Sequence, residues 1–235
     1  MSHSTTNTYT LKREILSVSS KISFGLPKDD RKFAADMSYG ILASGSCLLT
    51  DITDYLHEPA KKVNTVERLS RHLASGIPER MLANYLRTVK MMVPSAPIIH
   101  IDDSDVIKPE GQHFEALGYV RDGSASTKEK SVFQKDQLWV ALLRPADQNS
   151  FDHRRPVSLF SEIHSSCEKQ FSSINNITFS AIDRAVRLFG KATFAMDRGY
   201  DDNKIFHKLL DAGQNFVTRL TAKRKVFYHG KWIPI

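Results

Sequence analysis

Phe33, Met37, Ile41, Ser44 and Leu48 recur every three or four positions, the spacing of one face of an amphipathic helix. Gly40 and Gly45 fall inside that pattern. Each glycine costs about 1 kcal/mol relative to alanine in a helix, so their expected use is close packing of a neighbouring helix. Asn64 followed by Glu67 has the form of a capping box opening the segment NTVERLSRHLASGIP. Val66, Leu69 and Leu73 form its apolar stripe, with Arg68, Arg71 and His72 on the other side. Gly76 and Pro78 end it before a second helix, ERMLANYLRTVKMM. Residues 30–94 are therefore expected to form a helical bundle, and residues 1–29, polar at their start, a flexible N-terminal arm. The helix, SGIP turn and helix suit either a DNA-reading helix-turn-helix or a plain hairpin with solvated arginines. On the first alternative Arg68 and Arg71 are the DNA-binding candidates.

Beyond the breaker VPSAP the period changes. Ile98, Ile99, His100 and Ile101 make a short apolar run, which predicts a buried strand, and it meets Asp102, Asp103, Ser104 and Asp105. FEALGYVRD, QLWVALLRP and PVSLFSEI are further strand candidates, with the polar DGSASTKEK between the first two; together they suggest an antiparallel meander beside the first strand. Ile177, Ala181, Ala185 and Leu188 then mark a helix closed by Gly190. A short strand, ATFAMDRG, ends in an acid, and a helix over NKIFHKLLDAG leads to the strand NFVTRL. The fold class predicted is α/β: an N-terminal helical bundle followed by a mixed sheet with flanking helices, in which two strands each end in aspartate.

Composition narrows the chemistry. With 41% hydrophobic residues among 235 the chain can build a sizeable core, which excludes a disordered polyelectrolyte or a fibrous repeat. Two cysteines, Cys47 and Cys167, support neither a disulfide framework nor a cysteine-based zinc site. The nine histidines include no HxxxH or HExxH pair, and no GxxxxGK[ST] loop is present. The N-terminus lacks a signal-peptide apolar core, and no stretch approaches the ~18 apolar residues of a membrane span. A reducing cytoplasm is the expected compartment. A net charge of +7 favours a polyanionic partner, and the segment with Lys223, Arg224 and Lys225 comes closest to a charge run.

Two acids at the ends of adjacent strands stand side by side over one sheet edge, a good place for a hard divalent cation. Asp103 and Asp197 are the candidates. The alternative is that each merely ends a strand or caps a turn.

IIHIDDSDVIKPEG, FEALGYVRDGS and, most specifically, FAMDRGYDDNKIFHKLLDAGQNFVTRL resemble insertion-sequence transposases of the DDE type. The resemblance implies a ribonuclease H-like core, incomplete here, over residues 95–222, with residues 223–235 beginning a β-rich insertion. It assigns Asp103 as the first metal-binding aspartate, with Asp102 as the alternative because a one-residue slip reverses which side chain faces the site. Asp197 matches the second, and Arg198 and Asp201 its flanking positions, where structural support or contact with DNA phosphate is implied. Lys223, Arg224 and Lys225 are expected to face DNA. The implied cofactor is Mg2+ or Mn2+, two ions in the complete family. The implied partners are double-stranded DNA, as transposon terminal repeats and target, and a second copy in a homodimer on paired ends, with no membrane. The implied location is the bacterial cytoplasm, at nucleoid DNA. The family's third acid, a glutamate on a helix beyond the insertion, has no counterpart: residues 198–235 contain no glutamate, and Glu162 and Glu168 lie between the two aspartates, in the wrong order. The expectation is thus a transposase portion cut before the catalytic glutamate, with little or no transposition by itself. Two alternatives are a catalytically inactive DNA-binding remnant that inhibits transposition and a ribonuclease H-like nuclease that takes its third acid elsewhere.

Overall fold

The computed structural model describes residues 2–93, 95–107, 116–121, 133–146 and 157–234. The chain forms two compact units, Met1–Met92 and Val93–Ile235. The expected α/β class, helices first and a mixed sheet with flanking helices after, is what the structure has. The polar segment DGSASTKEK lies outside the described residues.

The first unit is helical: α1 (Ser2–Ile22), α2 (Lys28–Ser44), α3 (Leu49–Leu56), α4 (Lys62–Ala74) and α5 (Glu79–Met92). A helix therefore stands where a flexible arm was expected. Leu11, Ile15, Val18 and Ile22 recur at helical spacing behind the polar opening, and α1 buries Ile15 and Ser19 while packing on α2 and α5. Its end is held by Asn84, whose amide donates to the carbonyls of Ile22 and Phe24 at 3.1 and 2.9 Å. Phe33, Ile52 and Leu69 form the core with Met37, Ile41, Leu49 and Leu56 against it. Gly40 serves the expected close approach, since a Cβ there would fall 2.4 Å from Ile52 Cγ2. Gly45 instead ends α2, with φ of 67° and its N–H on the Ile41 carbonyl at 2.9 Å. The expected capping box at Asn64 is not used. The Lys61 carbonyl already accepts from the N–H groups of Asn64 and Thr65, so Asn64 sits inside the first turn of α4. The face α4 buries is Thr65 and Leu69, rotated from the expected stripe, and Leu73 is exposed. α4 packs on α3 and α2 and α5 on α1, so each helix of the expected helix–turn–helix has its main partner elsewhere.

The second unit is built on a sheet of β1 (Ile98–Ile107), β2 (Gly118–Arg121), β3 (Phe133–Ala146), β4 (Phe160–His164), β5 (Thr193–Met196) and β6 (Asn215–Thr218). Their order is β2-β3-β1-β5-β6, with β4 also on β3. The expected meander is corrected here: β1 pairs with β3 rather than β2, and β2 and β4 share the far edge of β3 at Phe133–Asp136 and Trp139–Leu143. One fourteen-residue strand is long enough to carry two short partners in succession. β5 and β6 run parallel to β1, joined through α6 (Ile174–Phe189) and α7 (Asn203–Asp211).

Alternation along the strands settles the two faces. Ile99, Ile101, Phe160, Phe194 and Met196 are buried with Ala181, Ile182, Ala185, Ile205 and Leu209 of the two helices. His100, Asp102, Ser161, Ile163 and Val217 point the other way and are exposed. A separate two-stranded sheet, β7 (Lys225–Tyr228) and β8 (Lys231–Pro234), follows, turning at Gly230 with φ of 75°. Among the described residues no helix is long and apolar enough to cross a membrane.

Candidate acidic active site

β1 does not stop at its acids. β3 pairs with it from Ile98 to Ile107, so Asp102 and Asp103 sit within the strand, a correction to the expected strand end. The parallel partner is shorter, because pairing of β5 with β1 stops at Ile101 opposite Met196. Both acids thus lie just past the carboxyl end of the parallel pair, the place where open α/β sheets bind ligands. Asp197 follows Met196 directly at the same end.

The pleat separates the two β1 acids. Asp103 shares the helix-covered face with Ile99 and Ile101 and is half-buried, whereas Asp102 is exposed on the opposite face with His100. Asp197 is exposed and caps a 3-10 turn, Arg198–Tyr200, with its Oδ1 accepting from the Gly199 N–H at 2.7 Å. Capping occupies that oxygen, and Oδ2 has no protein partner among the described residues. Arg198 is exposed on the turn. Tyr200 folds back into the core and is 5% exposed.

Burial pushes the Asp103 carboxyl above its ordinary range, and the charges of Asp102 and Asp197 push the same way; Tyr200 and His164 pull it down without overcoming them. The Tyr200 phenol is itself pushed well up, by burial and then by the Asp103 charge. Its hydroxyl approaches Asp103 as a donor, although the pair falls outside strict hydrogen-bond geometry. His164, buried at the end of β4, stacks on Phe171 with ring centroids 5.9 Å apart. Neither Tyr200 nor His164 was singled out from the sequence. Tyr200 carried a signal: it lies three residues after Asp197, and residues three apart eclipse on a 3-10 turn. His164 is placed by strand register alone.

The other expected residues divide. Asp201 is structural. Its carboxylate accepts from the Thr221 N–H at 2.9 Å and from Arg224 Nε at 2.5 Å, and although burial opposes it, these donors hold its carboxyl below the usual range. Arg224, expected to face DNA, is bound to Asp201 and Asn203 and lies over the Phe206 ring at 5.1 Å. Lys223 and Lys225 on either side of it are exposed. In the helical unit Arg68 is also committed, to Asp36 at 2.6 Å and Glu58 at 3.2 Å, while Arg71 is exposed. Asp202, not singled out from the sequence, joins α7 to α6 by capping Lys204 N–H and accepting from Asn175 at 2.8 Å each.

Among the described residues no three His, Cys, Asp or Glu side chains gather as a metal-binding set. The donors present still fit a hard cation, because Mg2+ keeps several waters and takes one or two carboxylates, and Asp103 and Asp197 offer oxygen at one sheet end.

No family model matches the chain. A 3-phosphoshikimate 1-carboxyvinyltransferase of Helicobacter pylori (strain Shi470) is 26% identical over 170 residues, 70% of this chain and 39% of that protein. The chain thus spans well under half the length of this curated relative. Among solved structures, the piggyBac transposase synaptic complex with hairpin DNA is similar at a TM-score of 0.46 and 9% identity, over 90% of this chain and 49% of that one. The Drosophila P element transposase strand transfer complex is similar at a TM-score of 0.27 and 12% identity, over 85% and 50%. Likenesses of that depth carry no argument about chemistry, which rests on the residues at the sheet end.

Proposed function

We propose that the chain is the DNA-binding and metal-binding portion of a DDE-type insertion-sequence transposase, acting on transposon-end DNA as a homodimer. The observation that carries this reading is the meeting of Asp103 and Asp197 at the carboxyl end of two parallel neighbours, each within reach of the other's charge. Mg2+ or Mn2+ bound there would supply Lewis-acid stabilisation and an activated water for phosphodiester cleavage. The chain's own residues prepare the place. Burial and strand pairing hold Asp103, the capped turn holds Asp197, and Arg198, Lys223 and Lys225 are exposed cations available to backbone phosphate.

The test is cleavage of the element's terminal repeat by the purified chain with Mg2+ or Mn2+. Because residues 198–235 supply no glutamate, we expect slow cleavage at best, abolished in Asp103→Asn and in Asp197→Asn. Residual cutting that survives both substitutions would remove these acids from the chemistry. The missing glutamate also supports a second reading, DNA binding without cleavage; it predicts terminal-repeat binding that both asparagine variants retain. The anionic substrate named for the Helicobacter relative is not carried over, since Asp102, Asp103 and Asp197 would repel a phosphorylated acid.

A further inference from the structure

Tyr200 presents a combination the cap and the core do not account for. Its side chain is 5% exposed, yet the hydroxyl is a buried polar atom without a completed hydrogen bond, aimed at Asp103. A phenylalanine would fill the same space without that cost, so the hydroxyl needs a reason. The backbone fixes where it points. Tyr200 N–H donates to the Asp197 carbonyl at 3.3 Å and the Tyr200 carbonyl accepts from Asp202 N–H at 2.7 Å, so the ring is clamped within the turn that carries Asp197. Asp103 on β1 and Asp197 beyond β5 are thereby linked by a single side chain.

We propose that Tyr200 is a positioning residue of the acidic site, whose hydroxyl fixes the Asp103 carboxylate so that its free oxygen and that of Asp197 face one divalent cation. The proposal rests on the metal-binding reading above. A donor on one carboxylate oxygen stops the group from rotating and leaves the other oxygen for the ion, and loss of such a supporting partner typically costs about 10–100-fold in metal affinity or activity. The proposal concerns the orientation of Asp103 and makes Tyr200 neither a ligand nor a proton carrier.

The experiment is a Mn2+ titration of the full chain by electron paramagnetic resonance, without DNA, on wild type, Tyr200→Phe, Tyr200→Leu and Asp103→Asn. Melting midpoints and low-salt DNA binding are measured on the same samples. We expect Asp103→Asn to lose Mn2+ binding, and Tyr200→Phe to weaken it about tenfold while melting and binding DNA like wild type. Tyr200→Leu should lose both affinity and melting temperature, because it also removes the ring. Wild-type Mn2+ affinity in Tyr200→Phe, with loss in Asp103→Asn, would overturn the positioning role and leave the metal site standing. A wild type that binds no Mn2+ overturns the metal-binding reading and this role with it.

Discussion

The two units of the chain treat their acids in opposite ways. In the helical unit Asp36 and Glu58 are met by Lys32 and Arg68, and the Thr65 hydroxyl adds a hydrogen bond to Glu58 at 2.8 Å. Lys32 above all holds the Glu58 carboxyl down at about 2. In the sheet unit Asp103 meets burial and two further acids, and its carboxyl is held up. An acid matched by cations is explained by the fold it stabilises. An acid that shares a half-buried corner with other acids is held against a cost, and such sites mark function. The division runs even through one short motif, since in DRGYDD Asp201 and Asp202 are bonded into the structure while Asp197 keeps an oxygen free.

The sharpest way to break this comparison is to remove one charge from each unit and compare the signs. Arg68→Met strands Asp36 and Glu58, and allowing for their partial exposure should cost about 1–3 kcal/mol. Asp103→Asn relieves like-charge repulsion in a half-buried place and should raise stability by about 0.5 kcal/mol, the lower end of common stabilising substitutions. Urea melts of both variants decide it: a loss of stability in Asp103→Asn comparable to that in Arg68→Met would mean that the sheet acids are structural too.

The next effect is a pH dependence. A carboxyl lowered on folding contributes stability that is present above its ordinary value and lost as pH falls through its folded one. For Glu58 that window runs from its usual 4.5 down to about 2. Glu58→Gln should therefore destabilise the protein at neutral pH and flatten the fall in melting temperature below pH 4.5. Asp103, raised on folding, acts with the other sign: its penalty is present at neutral pH and relieved on acidification. An acid limb of the same steepness in Glu58→Gln and wild type would show that the Lys32–Glu58–Arg68 network contributes nothing measurable.

Period carried much of the fold. The run Ile98–Ile101, the stripe from Ile177 to Leu188 and the phrase NFVTRL each became the element their spacing implied, because each is local. What spacing could not give was partnership. Nothing in β1 says that β3 will pair along its whole length and carry the strand past its acids, and nothing in α4 says that Arg68 will turn inward to Asp36, 32 positions away. The same limit governed the site. Asp103 and Asp197 were visible as acids after apolar strands, whereas Tyr200 and His164 became part of the site only once the turn and the register were known.

The smallest expected effects concern DNA, and they extend the comparison to the basic residues. A cation committed to a carboxylate has little left to give a phosphate, so Arg68 and Arg224 should contribute little to binding, and exposed Arg71, Arg198, Lys223 and Lys225 should contribute more. Removing one cation from a DNA phosphate lowers the slope of log affinity against log salt by about 0.9. Lys223→Ala with Lys225→Ala should flatten it by up to about twice that amount, Arg198→Ala by about that amount once, and Arg71→Ala by no more. Arg68→Gln and Arg224→Gln should leave the slope unchanged wherever circular dichroism shows the fold intact. Arg224 is the most informative of these. It sits between two exposed lysines, so a slope that falls as far for Arg224→Gln as for either lysine would show that its bonds to Asp201 and Asn203 yield to phosphate, and that pairing with a carboxylate does not by itself make a residue structural.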